Sequence, residues 1–375
     1  MSRMLGGGKL EGLAVPQAIR TLAGTLLESG AVQAVLVPKR TPSGNMVTQV
    51  LASDRGLLDA VDPLAPMQMI NAAHAVRELA KEALEQAEKK IAAVLRPCEV
   101  RAVIELIKLK QILPESLYLI GYDCPGVYDV LEYLRRVEAA GDADKVRAEV
   151  LEHFVGGEED GLRGACRICT HFTADSADLS LSWIGGEEHS LLVNVLSEKG
   201  EQLIEALHNA MGLEEVGEVP GRSKQIEAVT NRRLGARDED QVDLLSELQR
   251  CIRCYNCREV CPICYCKECL LVPAKMGYSS ERYLRRAEKK GQIKMPVDTV
   301  LYHLTKMNHM ASSCVACGLC EQACPMDIPL GRIYSRVSRH VQALFDYVPG
   351  RSLEEELPVT TFKEEELPQA EDIKG

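Results

Sequence analysis

The chain has 375 residues with 44 Lys and Arg against 55 Asp and Glu, a formal net charge of −11. That length accommodates two or three domains with a sizeable core, and the acidic balance argues against nucleic acid or an anionic membrane as the main partner. Aromatic residues are 4% and hydrophobic residues 46%, so the core must rest on Leu, Val, Ile and Ala. No uncharged run approaches the length of a membrane span, and Met1 to Lys9 has no apolar signal-peptide segment behind its charges. Fifteen cysteines, an odd number in clusters, do not read as a secreted disulfide framework. A reducing cytoplasm fits them better.

Gly6-Gly7-Gly8 precedes the first helical pattern. It reads as a frayed terminus or as backbone N–H groups facing a diphosphate. Val15 to Ser29 has helical spacing and stops at Gly30. Ala31 to Pro38 and Met46 to Leu51 read as strands, with Ser53 and Asp54 capping a short helix and a long amphipathic helix at Met69 to Lys90. Ile91 to Leu95 is a strand that runs into Pro97-Cys98, with a helix from Glu99 to Lys110. Leu117 to Gly121 is a second strand, running into Asp123-Cys124-Pro125-Gly126 and a helix from Val127 to Val137. Strand–helix–strand–helix with short loops predicts a parallel sheet. Its loops at the carboxyl ends of the strands form the ligand crevice, where Cys98 and Cys124 converge. A helical stretch from Ala143 to Phe154 leads to the knuckle Cys166-Arg-Ile-Cys169-Thr-His171-Phe172, strands at Ala177 to Ile184 and Ser190 to Leu196, and a helix from Gly200 to Leu213. Cys98, Cys124, Cys166 and Cys169 match the ligand count of one iron–sulfur cubane. A reactive thiol pair with two buried cysteines is the alternative.

Helical segments fill 219 to 250, with Pro220-Gly221 as the expected linker. The next stretch, Cys251 to Pro325, holds eleven of the fifteen cysteines. Cys251-x2-Cys254-x2-Cys257-x3-Cys261-Pro262 and Cys314-x2-Cys317-x2-Cys320-x3-Cys324-Pro325 both have the spacing of two-cluster bacterial ferredoxins. Three thiolates on one tight turn grip three corners of a cubane, and the fourth points to the neighbouring cluster. One 4Fe-4S cluster is therefore assigned to Cys251, Cys254, Cys257 and Cys324, the other to Cys314, Cys317, Cys320 and Cys261. Structural zinc, the alternative, pairs two short knuckles instead. Between the two runs lie Cys264, Cys266 and Cys269, which suit either a separate metal or packing, then helices at Tyr278 to Gly291 and Val297 to Met310. The second helix is expected to bury Val297, Val300, Leu301, Leu304 and Met307 on one face. The basic run Arg282, Arg285, Arg286, Lys289 and Lys290 reads as a solvated face or a docking patch for an acidic partner. Among histidines only His171 lies beside a cysteine knuckle in the sequence, and the others read as ordinary surface or core residues. Glu-Glu-Glu-Leu-Pro recurs at 354–358 and 364–368, marking 350–375 as an extended acidic tail.

Pro97-Cys98, Asp123-Cys124-Pro125, Cys166, Cys169, Phe172 and Ala177-Asp178-Leu179-Ser180 resemble the beta subunit family of coenzyme F420-dependent hydrogenases and dehydrogenases, across roughly residues 1 to 210. His171 stands where that family carries an acidic residue, and no cysteine cluster opens the chain. The resemblance implies an FAD-containing α/β iron–sulfur domain with a parallel-containing sheet at 1–218, bearing one 4Fe-4S cluster. A mostly α-helical ferredoxin domain with two 4Fe-4S clusters is expected at 219–349, similar to those of succinate dehydrogenase and heterodisulfide reductase subunits. Together these give a cytoplasmic iron–sulfur flavoprotein, the electron-transfer beta subunit of an oxidoreductase. It would pass electrons between a formate dehydrogenase- or hydrogenase-type catalytic subunit and coenzyme F420. The alternatives are an electron wire feeding a heterodisulfide-reductase-type complex, or a flavin subunit using NAD or ferredoxin. No G-x-G-x-x-G opens a helix, so the flavin rests on the resemblance and on electron counting: clusters carry single electrons, whereas a hydride is two. No side chain reads as a catalytic acid–base pair.

Overall fold

The computed structural model describes residues 6–11, 13–85, 89–157, 160–186, 190–211, 221–237, 242–267, 269, 271, 280–291 and 298–361. The amino-terminal half is built on one seven-stranded sheet. In chain order its elements are β1 (Gly6–Glu11), α1 (Val15–Glu28), β2 (Ala34–Arg40), β3 (Val47–Ala52), α2 (Ala73–Glu85), β4 (Ile91–Leu95), α3 (Pro97–Lys108) and β5 (Leu117–Tyr122). They continue with α4 (Val130–Ala140), α5 (Ala143–Gly156), α6 (Gly164–Arg167), β6 (Leu179–Ser182), β7 (Ser190–Val195), α7 (Glu198–Met211) and α8 (Arg222–Gly235). The strand order is β1-β7-β6-β5-β4-β2-β3. β2, β4, β5 and β6 run parallel, while β3, β7 and β1 close the two edges antiparallel.

Side-chain alternation sorts the core into two layers. Ala92 and Val94 of β4, with Tyr118 and Ile120 of β5, face α1 and α7. Ala93, Leu95, Leu117 and Leu119 face α2 and α3. Burial on both faces is why β4 and β5 read as continuous apolar runs. α3 starts where Pro97 fixes φ at its first position, and the Glu99 carboxylate accepts from the Arg96 N–H at 2.9 Å. Cys98 therefore sits in the first turn of a helix rather than in a loop. α2 begins at Ala73, later than the pattern from Met69 suggests, because the Asn71 side chain accepts from the Ala73 N–H at 3.0 Å and caps it. The glycine triplet is neither frayed nor free: Gly6, Gly7 and Gly8 pair in register with Val195, Asn194 and Val193.

The carboxyl-terminal half is helical: α9 (Leu244–Leu248), α10 (Asn256–Glu259), α11 (Ser280–Lys290), α12 (Asp298–Met310), α13 (Leu319–Gln322) and α14 (Leu330–Leu344). Its core joins Leu248, Tyr302, Met307, Met310, Ile328, Ile333 and Tyr334 around the cysteines. α12 is rotated from the expected face. Leu301 and Leu304 are 52% and 47% exposed, while Tyr302, His303 and Lys306 are buried. Val297, the Arg282 and Arg286 side chains and the second Glu-Glu-Glu-Leu-Pro lie outside the described residues.

The halves interlock. Val315 packs into the α2–α3 layer, and Arg101 donates to the carbonyls of Pro349 (2.7 Å) and Val315 (3.4 Å). The Gly350 N–H donates to buried Glu105 at 2.8 Å. α8 packs on the α/β half: Val229 meets Phe154, Phe172 and Ile184, and Arg222 pairs with Asp123 at 2.7 Å. Among the described residues no helix is long and apolar enough to cross a membrane.

Candidate metal centres

Cys98, Cys124, Cys166 and Cys169 line one cavity with about 420 Å³ of empty space, and Cys317 of the second ferredoxin run lines it too. Each arrives on a different device. Cys98 comes from the start of α3. Cys124 follows β5, whose exit is fixed by Asp123: the buried carboxylate takes Arg222 and the Ile184 N–H, and its carbonyl accepts from Trp183 Nε1 at 2.8 Å. Gly126, at φ +114°, completes the turn, and a Cβ there would meet Leu162 at 3.0 Å. The knuckle is held by α8, whose Arg233 donates to the carbonyls of Cys169 (3.2 Å) and Pro125 (2.9 Å). The Cys124 N–H donates to the Phe172 carbonyl at 2.8 Å, tying the two loops together. The motif's Asp123 and Phe172 thus position cysteines.

Several donors that the spacing did not single out face this cavity. Arg96 Nη1 lies 3.4 Å from Cys124 Sγ while its Nη2 donates to the carbonyls of Ala65 and Met67. Gln68 Nε2 donates to Glu99 at 2.9 Å and lies 3.8 Å from Cys98 Sγ. Burial first, then Glu99 and the sulfurs of Cys317, Cys124 and Cys166, push the Cys98 thiol well up. Burial likewise pushes Cys166 up to about 11. Iron would supply the positive charge that lets Cys98 and Cys166 bind as thiolates. The charge of Arg101, with burial second, holds His171 down to about 3, so its ring is neutral at pH 7.

The two ferredoxin runs have one backbone shape. Arg253 and Tyr255 in the first, and Ala316 and Gly318 in the second, all have φ between +55° and +74°. They occupy matching places two and four residues after Cys251 and Cys314. Left-handed residues alternating with right-handed ones turn successive N–H groups inward, a concavity that suits anionic iron–sulfur centres. The Arg253 N–H lies 3.4 Å from Cys251 Sγ. Cys251 has Cys257, Cys324 and Cys254 as charged neighbours. Cys314, Cys317 and Cys320 each have Cys261. Among the described residues no group of three or more His, Cys, Asp or Glu is set about a single ion. The same holds for Cys264, Cys266 and Cys269: Cys264 accepts from Lys306 Nζ at 3.0 Å, and the Cys266 carbonyl takes Arg258.

His303 is the residue the sequence concealed. It is wholly buried, with Nε2 3.2 Å from Cys251 Sγ and Nδ1 2.7 Å from Tyr334 Oη. The expectation that the histidines other than His171 are ordinary surface or core residues misses His303, whose sulfur partner is 52 residues away along the chain.

A second cavity lies between α2 and the amino ends of β4 and β5. It is lined by Leu36, Val76, Leu79 and Leu117, with Glu115 and Ser116 as its polar side chains.

Four cysteines at the carboxyl ends of the central strands of a mixed α/β sheet are thus joined to a helical pair of cysteine loops. Residues 88–219 match the family described as the carboxyl-terminal part of the coenzyme F420 hydrogenase/dehydrogenase beta subunit, and 247–328 match the "4Fe-4S dicluster domain". The first match includes Cys98, Cys124, Cys166 and Cys169, and the second includes both cysteine runs. It is 29% identical over 296 residues to the "F420-dependent formate dehydrogenase subunit beta" of Methanocaldococcus jannaschii, covering 70% of this chain and 74% of that protein. It is 28% identical over 371 residues to the "F420-dependent formate dehydrogenase 1 subunit beta" of Methanococcus maripaludis, covering 89% and 90%. A chain of the F420-reducing NiFe hydrogenase complex of Methanosarcina barkeri superimposes with a TM-score of 0.47 at 14% identity, over 64% of this chain and 93% of that one.

Proposed function

We propose that the protein is the electron-transfer beta subunit of a formate dehydrogenase- or hydrogenase-type complex, linking a catalytic partner to coenzyme F420. Its twelve ligands would be Cys251, Cys254, Cys257 and Cys324 for one 4Fe-4S cluster and Cys314, Cys317, Cys320 and Cys261 for another. Cys98, Cys124, Cys166 and Cys169 would hold the third. When bound, these clusters supply one-electron transfer, and FAD is proposed as the group that converts single electrons to hydride.

The observation that carries this reading is that Cys317 shares a cavity with the four sheet-edge cysteines. A group held there is in reach of the ferredoxin half without crossing solvent. The chain's own part is to hold the loops still, keep water out and leave oxidation of the primary substrate to the partner. Names of the relatives favour formate as that substrate.

Iron and sulfide analysis of the anaerobic whole chain should give about twelve irons. The Cys124→Ala variant should lose about a third of them while both ferredoxin EPR signals persist. Reduction of coenzyme F420 by the complex should stop in that variant, although dithionite still reduces the ferredoxin pair. Full iron in Cys124→Ala, or zinc in place of iron, would overturn the assignment. Flavin absorbance in the purified complex tests the FAD.

A further inference from the structure

α12 turns hydrogen-bond donors rather than leucines toward the core. Tyr302, His303 and Lys306 are 2%, 0% and 2% exposed. Tyr302 Oη lies 3.3 Å from Cys257 Sγ, His303 Nε2 3.2 Å from Cys251 Sγ, and Lys306 Nζ 3.0 Å from Cys264 Sγ. The tautomer with its proton on Nε2 satisfies both contacts of His303: Nδ1 accepts from the Tyr334 hydroxyl and Nε2–H donates to sulfur. Among the described residues no carboxylate pairs with Lys306. Its ammonium lies 5.6 Å from the Tyr334 ring centroid, and its anionic neighbours are the sulfurs of Cys261, Cys264 and Cys257. A buried cation needs a counter-charge, and here sulfur alone is in place to provide it.

We propose that this face of α12 sets the reduction potentials of the ferredoxin pair. Tyr302 and His303 donate to sulfurs of the first run, and Lys306 donates to Cys264, whose N–H is bonded to the Cys261 carbonyl at 3.0 Å, so its charge stands beside the end of that run. Hydrogen bonds to sulfur and net charge are two of the levers by which protein tunes such clusters. Taking up an electron makes a cluster more negative, so a donor or a fixed cation stabilises the reduced form and raises its potential. No bond forms or breaks.

The inference rests on the two-cluster reading, which the iron count tests separately. The experiment is an EPR-monitored redox titration of the full chain with its catalytic partner. Tyr302→Phe keeps the ring and should lower one ferredoxin midpoint at full iron content. Lys306→Met should lower both, and the sheet-edge signal should stay in place in each variant. Unmoved ferredoxin midpoints at full iron overturn the proposal, as does an equal shift of all three signals. If Lys306→Met loses iron, Tyr302→Phe decides: an unmoved midpoint in that variant overturns the proposal. A wild-type chain without its iron would sink the cluster reading instead.

Discussion

Arg163, 1% exposed, fastens three segments at once. Its Nη1 donates to Gln68 Oε1 (3.1 Å) and to the Cys317 carbonyl (3.2 Å), and its Nη2 donates to the Gln68 carbonyl (2.9 Å) and the Gln322 side chain. The planar fork matches acceptors a lysine could not reach together. Arg163→Met would orphan Gln68 Oε1 and the Cys317 carbonyl, each costing about 1–3 kcal/mol, while the Gln68 carbonyl keeps Gln322 Nε2 at 3.0 Å. A loss of about 3 kcal/mol is expected, read as a lower denaturant midpoint of the anaerobic holoprotein at unchanged slope. The sequence made the cysteines legible because ligand spacing is local: three thiolates within seven residues announce a cluster. It could not announce Arg163 or His303, whose roles depend on acceptors 154 and 52 residues away. A buried arginine beside a cysteine loop looks no different in sequence from a surface one.

At the level of elements, strands buried on both faces were the plainest to read, since β4 and β5 are short apolar runs that each end just before a cysteine. β1 escaped because three glycines carry no side-chain pattern and the pairing strand β7 lies far along the chain. α12 was misjudged for a different reason. Its leucines obey helical spacing, but sulfur at the core attracts donors, so the polar face goes in. Gly318 gives the clearest test of a loop. It has φ +74°, and a Cβ there would sit 2.4 Å from Ala165 Cβ and 2.9 Å from Arg163 Cδ. Gly318→Ala should therefore cost more than the roughly 1–2 kcal/mol of a left-handed alanine alone. Adding Ala165→Gly should relieve the contact with Ala165 but neither the approach to Arg163 nor the backbone part, as measured by thermal midpoints of the two variants.

Over the whole molecule, the two cysteine runs face in opposite senses. From Cys314 to Cys320 every residue is buried or half-buried, and Val315 is inserted into the α/β core. In the first run Cys254 is exposed and Ile252 is 61% exposed. Oxygen reaches an exposed ligand first, so brief air exposure should bleach the EPR signal of the Cys251–Cys257 cluster before the other two. Simultaneous loss of all three would contradict that ordering. The division into a sheet half and a cysteine-rich helical half was visible in the spacing and composition. The docking through Arg101, Glu105 and Gly350 was not, since it joins α3 to a segment some 245 residues onward.

The matched left-handed positions mean that the two loops share a backbone but cannot trade places. Where one carries Arg253 and Tyr255, the other carries Ala316 and Gly318. A tyrosine transplanted to 318 would strike Ala165, which already stands too near for a methyl group. Identical spacing therefore conceals a polarity: a chimera with its runs interchanged would keep every sulfur and still be unable to close its halves on each other.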